Sequence, residues 1–298
     1  MISVVIAARA DSTRHGTSRL RLVLDSLERQ TVAGDCYEVI VVDDHSDPPL
    51  ADAIAARSLP ISVLSPDKTG MVCAFNFGIE HAKGDLVLLG LDDEILSPGA
   101  LQAHMIAYEG NGRHIGVGRA RLYPSIAAQN DIYVDPLLRD GFLRETFDQI
   151  WDASVVDRRI WEFESVLASP SFPRLASSYL GMRFGNHTIP MSFFERYGLL
   201  DEKLQRYGGW NVDIDLGLRI QSSDYEFCLV SEARSINLPH PRHQLSIREA
   251  FGAWSYLIRK HGCIELLPMM SYFDGDYSIA DIEESIQCMR TELECARA

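Results

Sequence analysis

The feature that most constrains this chain is the rhythm of its first hundred residues, where short apolar runs alternate with amphipathic segments. Ile2–Ala8, Tyr37–Val42, Ile61–Leu64 and Asp85–Leu91 read as strands. Between them, Ser18–Arg29 sets Leu20, Val23, Leu24 and Leu27 on one helical face, Ala51–Arg57 reads as a short helix, and Met71–Ala82 as a longer one stopped near Gly84. Strands that alternate with helices imply right-handed crossovers, so the pattern predicts an α/β fold with a mostly parallel central sheet flanked by helices.

Past this block the rhythm lapses. Residues 119–183 carry Trp151, Trp161 and several Tyr and Phe among charges, with Pro170 and Pro173 as breaks. They read either as irregular helices and loops around a pocket or as a helical subdomain with its own aromatic core. Pattern returns with helices over Pro190–Tyr197 and Asp213–Gln221 and a strand over Tyr225–Val230. Ser246 followed by Glu249 is a capping-box signature ahead of a helix through Ile258. A last amphipathic helix runs from about Ser278 to Cys295. It could pack on its own core, form a homodimer or touch a membrane, its acidity disfavouring the last.

Composition bounds the function. Hydrophobic residues make up 46% and charged residues 23%, as in ordinary globular chains. At 298 residues the chain buries enough surface to fold without disulfides or structural metal. The 28 Lys and Arg against 42 Asp and Glu give a net charge of −14, which argues against non-specific nucleic-acid binding. Six scattered cysteines without a Cys-x-x-Cys pair fit reduced thiols. No apolar run approaches the ~18 residues of a membrane span, and Met1 leads straight into an apolar strand without a basic leader. The expectation is a cytoplasmic protein.

Two strands end in carboxylates, Asp43-Asp44 after the second and Asp92-Asp93-Glu94 after the fourth. In a parallel sheet these ends share one rim, where loops build a ligand crevice. Clustered carboxylates repel unless solvated, hydrogen-bonded or neutralised, and hard oxygen donors suit Mn²⁺ or Mg²⁺ beside substrate phosphates. The competing reading of each pair is a solvated turn. Gly-x-Gly-x-x-Gly, Gly-x-x-x-x-Gly-Lys-Ser/Thr, His-Glu-x-x-His and Gly-x-Ser-x-Gly are all absent from the sequence.

Several blocks, in order, resemble the family 2 glycosyltransferases of GT-A fold: Ser3–Ile6, Ser26–Thr31, Glu38–Ser46, Asn76–Ile79, Ala82–Asp85, Leu91–Asp93, then Gly185-Asn186, Phe193–Gly198, Leu200–Glu202 and Trp210–Arg219. The resemblance spans about residues 2–245. It implies an inverting transfer from a nucleoside-diphosphate sugar, with UDP or dTDP as the leading donor nucleotides and a small-molecule or glycan acceptor. Ala7, Arg9, Asp44, Asn76 and Asp92 then fall on the donor side, and Asp93 with His240 on the metal, His243 being the substitute. Asp213 falls on the general base, and Trp210 beside sugar or acceptor.

Helix geometry separates Asp213 from Asp215. Two positions are about 200° of rotation, so both cannot face one pocket. Asp213, at the helix start, points to the cleft or caps the helix, while Asp215 caps the helix or pairs with Arg219 four residues on. Asn76 divides between donor contact and helix–sheet packing, Trp210 between acceptor contact and core, and Arg9 between phosphate and open surface. Val212 stands where the family carries Glu, and His45 where it usually carries Gly. A sugar-1-phosphate nucleotidyltransferase and a catalytically silent nucleotide-binding module are the rival readings. The expected organisation is one structural unit in three parts: a donor half over 1–105, an acceptor half over 106–245 and a helical extension over 246–298.

Overall fold

The strands foreseen at the start of the chain form at Ile2–Ala8 (β1), Tyr37–Asp43 (β2), Ile61–Leu64 (β3) and Leu86–Leu91 (β4). The structure is a computed structural model that describes residues 1–10, 17–54, 57–123, 144–156, 158–168, 175–209, 211–238, 246–262, 266, 268 and 278–297. Four further strands complete one sheet: Glu94–Leu96 (β5), His114–Leu122 (β6), His187–Pro190 (β7) and Glu226–Asn237 (β8). Their order is β3-β2-β1-β4-β7-β6-β8-β5, with β7 antiparallel to β4 and β6, and β5 antiparallel to β8. The other pairings are parallel, so the sheet is mostly parallel as expected.

The helices are Ser18–Glu28 (α1), Leu50–Ile54 (α2), Met71–His81 (α3), Ala100–Gly110 (α4), Arg144–Ala153 (α5), Arg158–Leu167 (α6), Met191–Tyr197 (α7), Val212–Gln221 (α8), Ile247–His261 (α9) and Ile279–Arg297 (α10). The helix expected from Pro190 starts at Met191, because His187–Pro190 is drawn into the sheet between β4 and β6. A strand this short shows no period of its own, and only sheet partners make it a strand. The same holds for β5.

Alternate residues along the central strands feed two apolar layers. Val5, Ile40, Val42, Val87 and Leu89 face Val72, Phe75 and Ile79 of α3. Val4, Ile6, Val39, Val41 and Leu88 face Leu20, Val23, Leu24 and Leu27 of α1. Burial on both faces explains why the strands read as continuous apolar runs. The first layer also takes in Ile279, Ile282 and Ile286 of α10, so the last helix packs on the main core. Glu283 on that helix accepts the Ala176 and Ser177 N–H groups and the Ser177 hydroxyl. No helix among the described residues is long and apolar enough to cross a membrane.

Candidate active site

The register of β1 fixes the rim on which the two acidic pairs lie. Ala8 is level with Asp43 on one flank, and Ala7 is level with Leu91 on the other. Asp44 and Asp92 therefore leave the sheet on either side of the β1 terminus, about 10 Å apart at two strand spacings. Arg9 lies exposed on the rim between them, and Ala7 is half-buried beneath it.

The two residues of each acidic pair divide their work. Asp43 closes its own turn, accepting Ser46 N–H at 2.8 Å and Leu50 N–H at 2.9 Å. Asp44 instead reaches across to accept Gly70 N–H at 2.6 Å, at the start of α3. His45, where the resemblance expects Gly, sits at φ 59°, the left-handed region that glycine enters at no steric cost. In the second pair Asp92 is half-buried and Asp93 buried. Asn237 donates to Asp93 Oδ1 at 3.2 Å, and Leu238 N–H donates to the Asp93 carbonyl at 2.6 Å. Glu94 turns inward to Ser235 and to Arg183 at 3.2 Å. Burial raises the pKa of the Glu94 carboxyl, against the pull of Arg183 and the Ser235 hydroxyl. Glu94 is thus a tie between β5, β8 and the Arg183 segment, and a Cβ on Gly185 would collide with it.

The N-terminus of α3 joins this rim to residues 205–209, ahead of α8. Val72 N–H donates to Gln205 at 3.0 Å, and a Cβ on Gly209 would stand 3.0 Å from the Met71 methyl. Asn76 bonds the Leu200 backbone in both directions at 2.9 Å, and its second amide hydrogen leans toward Glu202 at 3.5 Å. Its amide holds α3 to residues 200–202. Asn211, at φ 61°, then turns the chain into α8.

On α8 the geometric separation of the two aspartates is observed. Asp215 is fully buried and held by Lys260 at 2.6 Å, His261 at 2.8 Å and Arg219 at 3.2 Å. Burial pushes its carboxyl up, but the hydrogen bonds from His261 and Lys260 and the Arg219 charge outweigh it and hold it low. Lys260 also bridges to Asp201 at 2.7 Å, where Tyr256 donates at 2.7 Å. Asp213 keeps part of its surface open, and one oxygen accepts Ile214 N–H at 2.9 Å. Burial raises its carboxyl to about 6, against the pull of the backbone amides of Ile214 and Asp213. Val212 is buried among apolar side chains. Trp210, His240 and His243 lie outside the described residues.

Among the described residues no three His, Cys, Asp or Glu side chains converge on a closed metal cage. Asp92 and Asp93 nonetheless offer hard oxygen donors at the rim, the chemistry that Mn²⁺ or Mg²⁺ uses when substrate phosphates complete the shell. Sequence reasoning missed Gln205, Lys260 and His261, which come from elements far along the chain and carry no local motif. It also missed the buried His104, whose ring bonds Asn186 at 2.9 Å and Thr188 at 3.0 Å. Burial lowers that imidazole to about 4, so it stays neutral and structural.

Residues 3–132 match the family model described as Glycosyl transferase family 2. Validoxylamine A glucosyltransferase of Streptomyces hygroscopicus subsp. limoneus is 26% identical over 270 residues, covering 88% of this chain and 57% of that protein. The uncharacterized glycosyltransferase YwdF of Bacillus subtilis (strain 168) is 29% identical over 163 residues, covering 47% of this chain and 60% of its own. The chain thus spans less than two thirds of the length of either relative. Among solved structures, S. aureus TarS 1-349 in complex with UDP-GlcNAc aligns with a TM-score of 0.57 at 12% identity, over 87% of this chain and 66% of that one. GalNAc-T7 with UDP, GalNAc and Mn²⁺ aligns at 0.55 and 17% identity, over 82% and 44%. These likenesses identify the fold as GT-A.

Proposed function

We propose that this chain, which carries a family 2 glycosyltransferase domain over residues 3–132, moves a sugar from a nucleoside-diphosphate donor to an acceptor hydroxyl or amine with inversion at the anomeric carbon. The observation that carries the reading is the junction at the α3 N-terminus. There Asp44 binds Gly70 while Gln205 and Gly209 pack on Met71 and Val72, tying the donor rim to the block that leads into Asp213. The bound UDP and UDP-GlcNAc of the TarS structures support a nucleotide-sugar donor here.

In this reading Asp44 receives the base, Ala7 and Arg9 line the β1 terminus under the donor, and Asp92 approaches the ribose. Asp93 holds Mn²⁺ or Mg²⁺, with His240, two residues beyond Leu238, as a further ligand and His243 as its substitute. The ion's chemistry is to stabilise negative charge on the leaving diphosphate. Asp213 takes the acceptor proton as the acceptor atom bonds to the anomeric carbon and the bond to the β-phosphate oxygen breaks. The diphosphate leaves from the opposite face, so a single displacement inverts the centre. A base that titrates near 6 is ionised at neutral pH yet still basic enough to accept the proton. Trp210 flanks the sugar or acceptor.

The test is Asp213→Asn, an isosteric change. Transfer should fall about 10²–10⁴-fold while donor binding, read by calorimetry, is kept. Unchanged turnover rejects Asp213 as the base. Pyrophosphate release from a nucleoside triphosphate would favour a nucleotidyltransferase. Donor binding without transfer or hydrolysis by the wild type would favour a silent module.

A further inference from the structure

Arg19 is 8% exposed, and its Nε and Nη1 are buried without a hydrogen-bond partner. A buried guanidinium is a charge removed from water, tolerated when a counter-charge meets it. Among the described residues none does. Its neighbour on the same buried helical face, Ser26, is by contrast satisfied, donating to Val23 O and accepting Leu96 N–H.

Two independent relations place Arg19. First, α1 follows β1 and returns along the sheet, so its first turn lies at the rim where β1 ends. Second, α1 and the chain from β5 onward run side by side in one sense: Ser26 meets Leu96, Gln30 meets Ser97 and Leu101, and Thr31 meets Pro98. Seven residues back along a helix is about 10.5 Å, and three back along a strand is about 10 Å. Stepping back from the Ser26–Leu96 contact therefore brings Arg19 level with the Asp92-Asp93 turn.

We infer that Arg19 is a donor-phosphate ligand, its two unpartnered N–H groups meeting an oxygen of the nucleoside diphosphate held over Asp92 and Asp93. This rests on the glycosyltransferase reading above. A guanidinium suits the role because its fork of donors matches phosphate oxygens and keeps its charge at any working pH. It adds positive charge on the side of the leaving group away from the Asp213 helix, and it favours the diphosphate over the nucleoside alone.

The test compares wild type with Arg19→Met and Arg19→Lys, using UDP, dTDP, GDP and CDP and their parent nucleosides with Mn²⁺. Arg19→Met should melt at the same or a higher temperature than wild type without ligand, because it removes an unpaired buried charge. It should bind the preferred diphosphate at least tenfold more weakly and the nucleoside unchanged, with Arg19→Lys in between. Equal diphosphate affinity in Arg19→Met, or an equal loss for nucleoside and diphosphate, overturns the assignment. A lower melting temperature with the diphosphate preference intact makes Arg19 structural and overturns it too. Failure of the wild type itself to bind any of the four diphosphates would instead reject the underlying function.

Discussion

Asp213 and Asp215 lie two residues apart on one helix, and the protein drives their proton affinities in opposite directions. Asp213 is raised to about 6 by burial, while Asp215 is held low by His261, Lys260 and Arg219. The rate of transfer should therefore rise through a limb near pH 6 as Asp213 ionises. Stability should carry the same signature. The unfolded Asp213 carboxyl ionises near pH 4 and the folded one near 6, so folding is penalised progressively between those values. Relative to Asp213→Asn, the wild type should lose stability from pH 4 to just above 6 and then level off. Urea unfolding across that range checks this, and a flat difference would contradict the burial of Asp213. Asp215 acts oppositely: its contribution is present above the unfolded value near 4 and is lost as pH falls through its depressed folded value. Asp215→Ala at pH 7 should cost about 3–5 kcal/mol, since it takes the buried carboxylate away from the half-buried Arg219 and Lys260 together. The sequence made the pairing of Asp215 with Arg219 legible, because i,i+4 spacing is local. Lys260 and His261 were not legible, since only the docking of α9 brings them to Asp215.

The element that carries Asp213 is α8, and its fit depends on one glycine. A Cβ on Gly217 would collide with the Tyr179 carbonyl, which is backbone and cannot swing away. In an open helix Gly→Ala stabilises by about 1 kcal/mol. Here Gly217→Ala should destabilise by about 1–3 kcal/mol through overpacking, a reversal of sign that denaturant unfolding would detect. At the start of α9, Ser246 and Glu249 close the capping box expected from their spacing. Ser246→Ala should cost about 1 kcal/mol. Elements of this kind were readable because their signals are local: periodic apolar faces, caps and long buried runs. β5 and β7 were not, as three or four residues carry no period. Nor does the β6–β8 register shift at Gly118/Arg119 leave any local mark, although the buried Asn186 bridges it by donating to Arg119 O and Ala233 O.

Across the whole molecule, one apolar layer runs from Val5 in the first strand to Ile286 in the last helix. The C-terminal helix is part of the same apolar core as the central strands. Removing residues 278–298 would take Ile279, Ile282 and Ile286 out of that layer, uncover the apolar side chains they pack on, and leave the Ala176 and Ser177 N–H groups without Glu283. Calorimetry of the truncated chain should show a lower and broader transition, and an unchanged melting temperature would show that the helix is an appendage. The fold class and the acidic rim could be read from sequence because each follows from runs of neighbouring residues. The junction of Asp44, Gly70, Gln205 and Gly209 could not, because it joins three distant segments by single contacts.

The most direct measurement is the stability of the wild-type chain with UDP, dTDP, GDP or CDP, each with Mn²⁺ and again with EDTA. A diphosphate at a hundred times its dissociation constant should stabilise the native state by about 2.7 kcal/mol. One of the four should give such a gain, lost with EDTA and lost in Asp93→Ala. No gain with any diphosphate, or a gain indifferent to both EDTA and Asp93, would contradict a metal-assisted donor site at the end of β4.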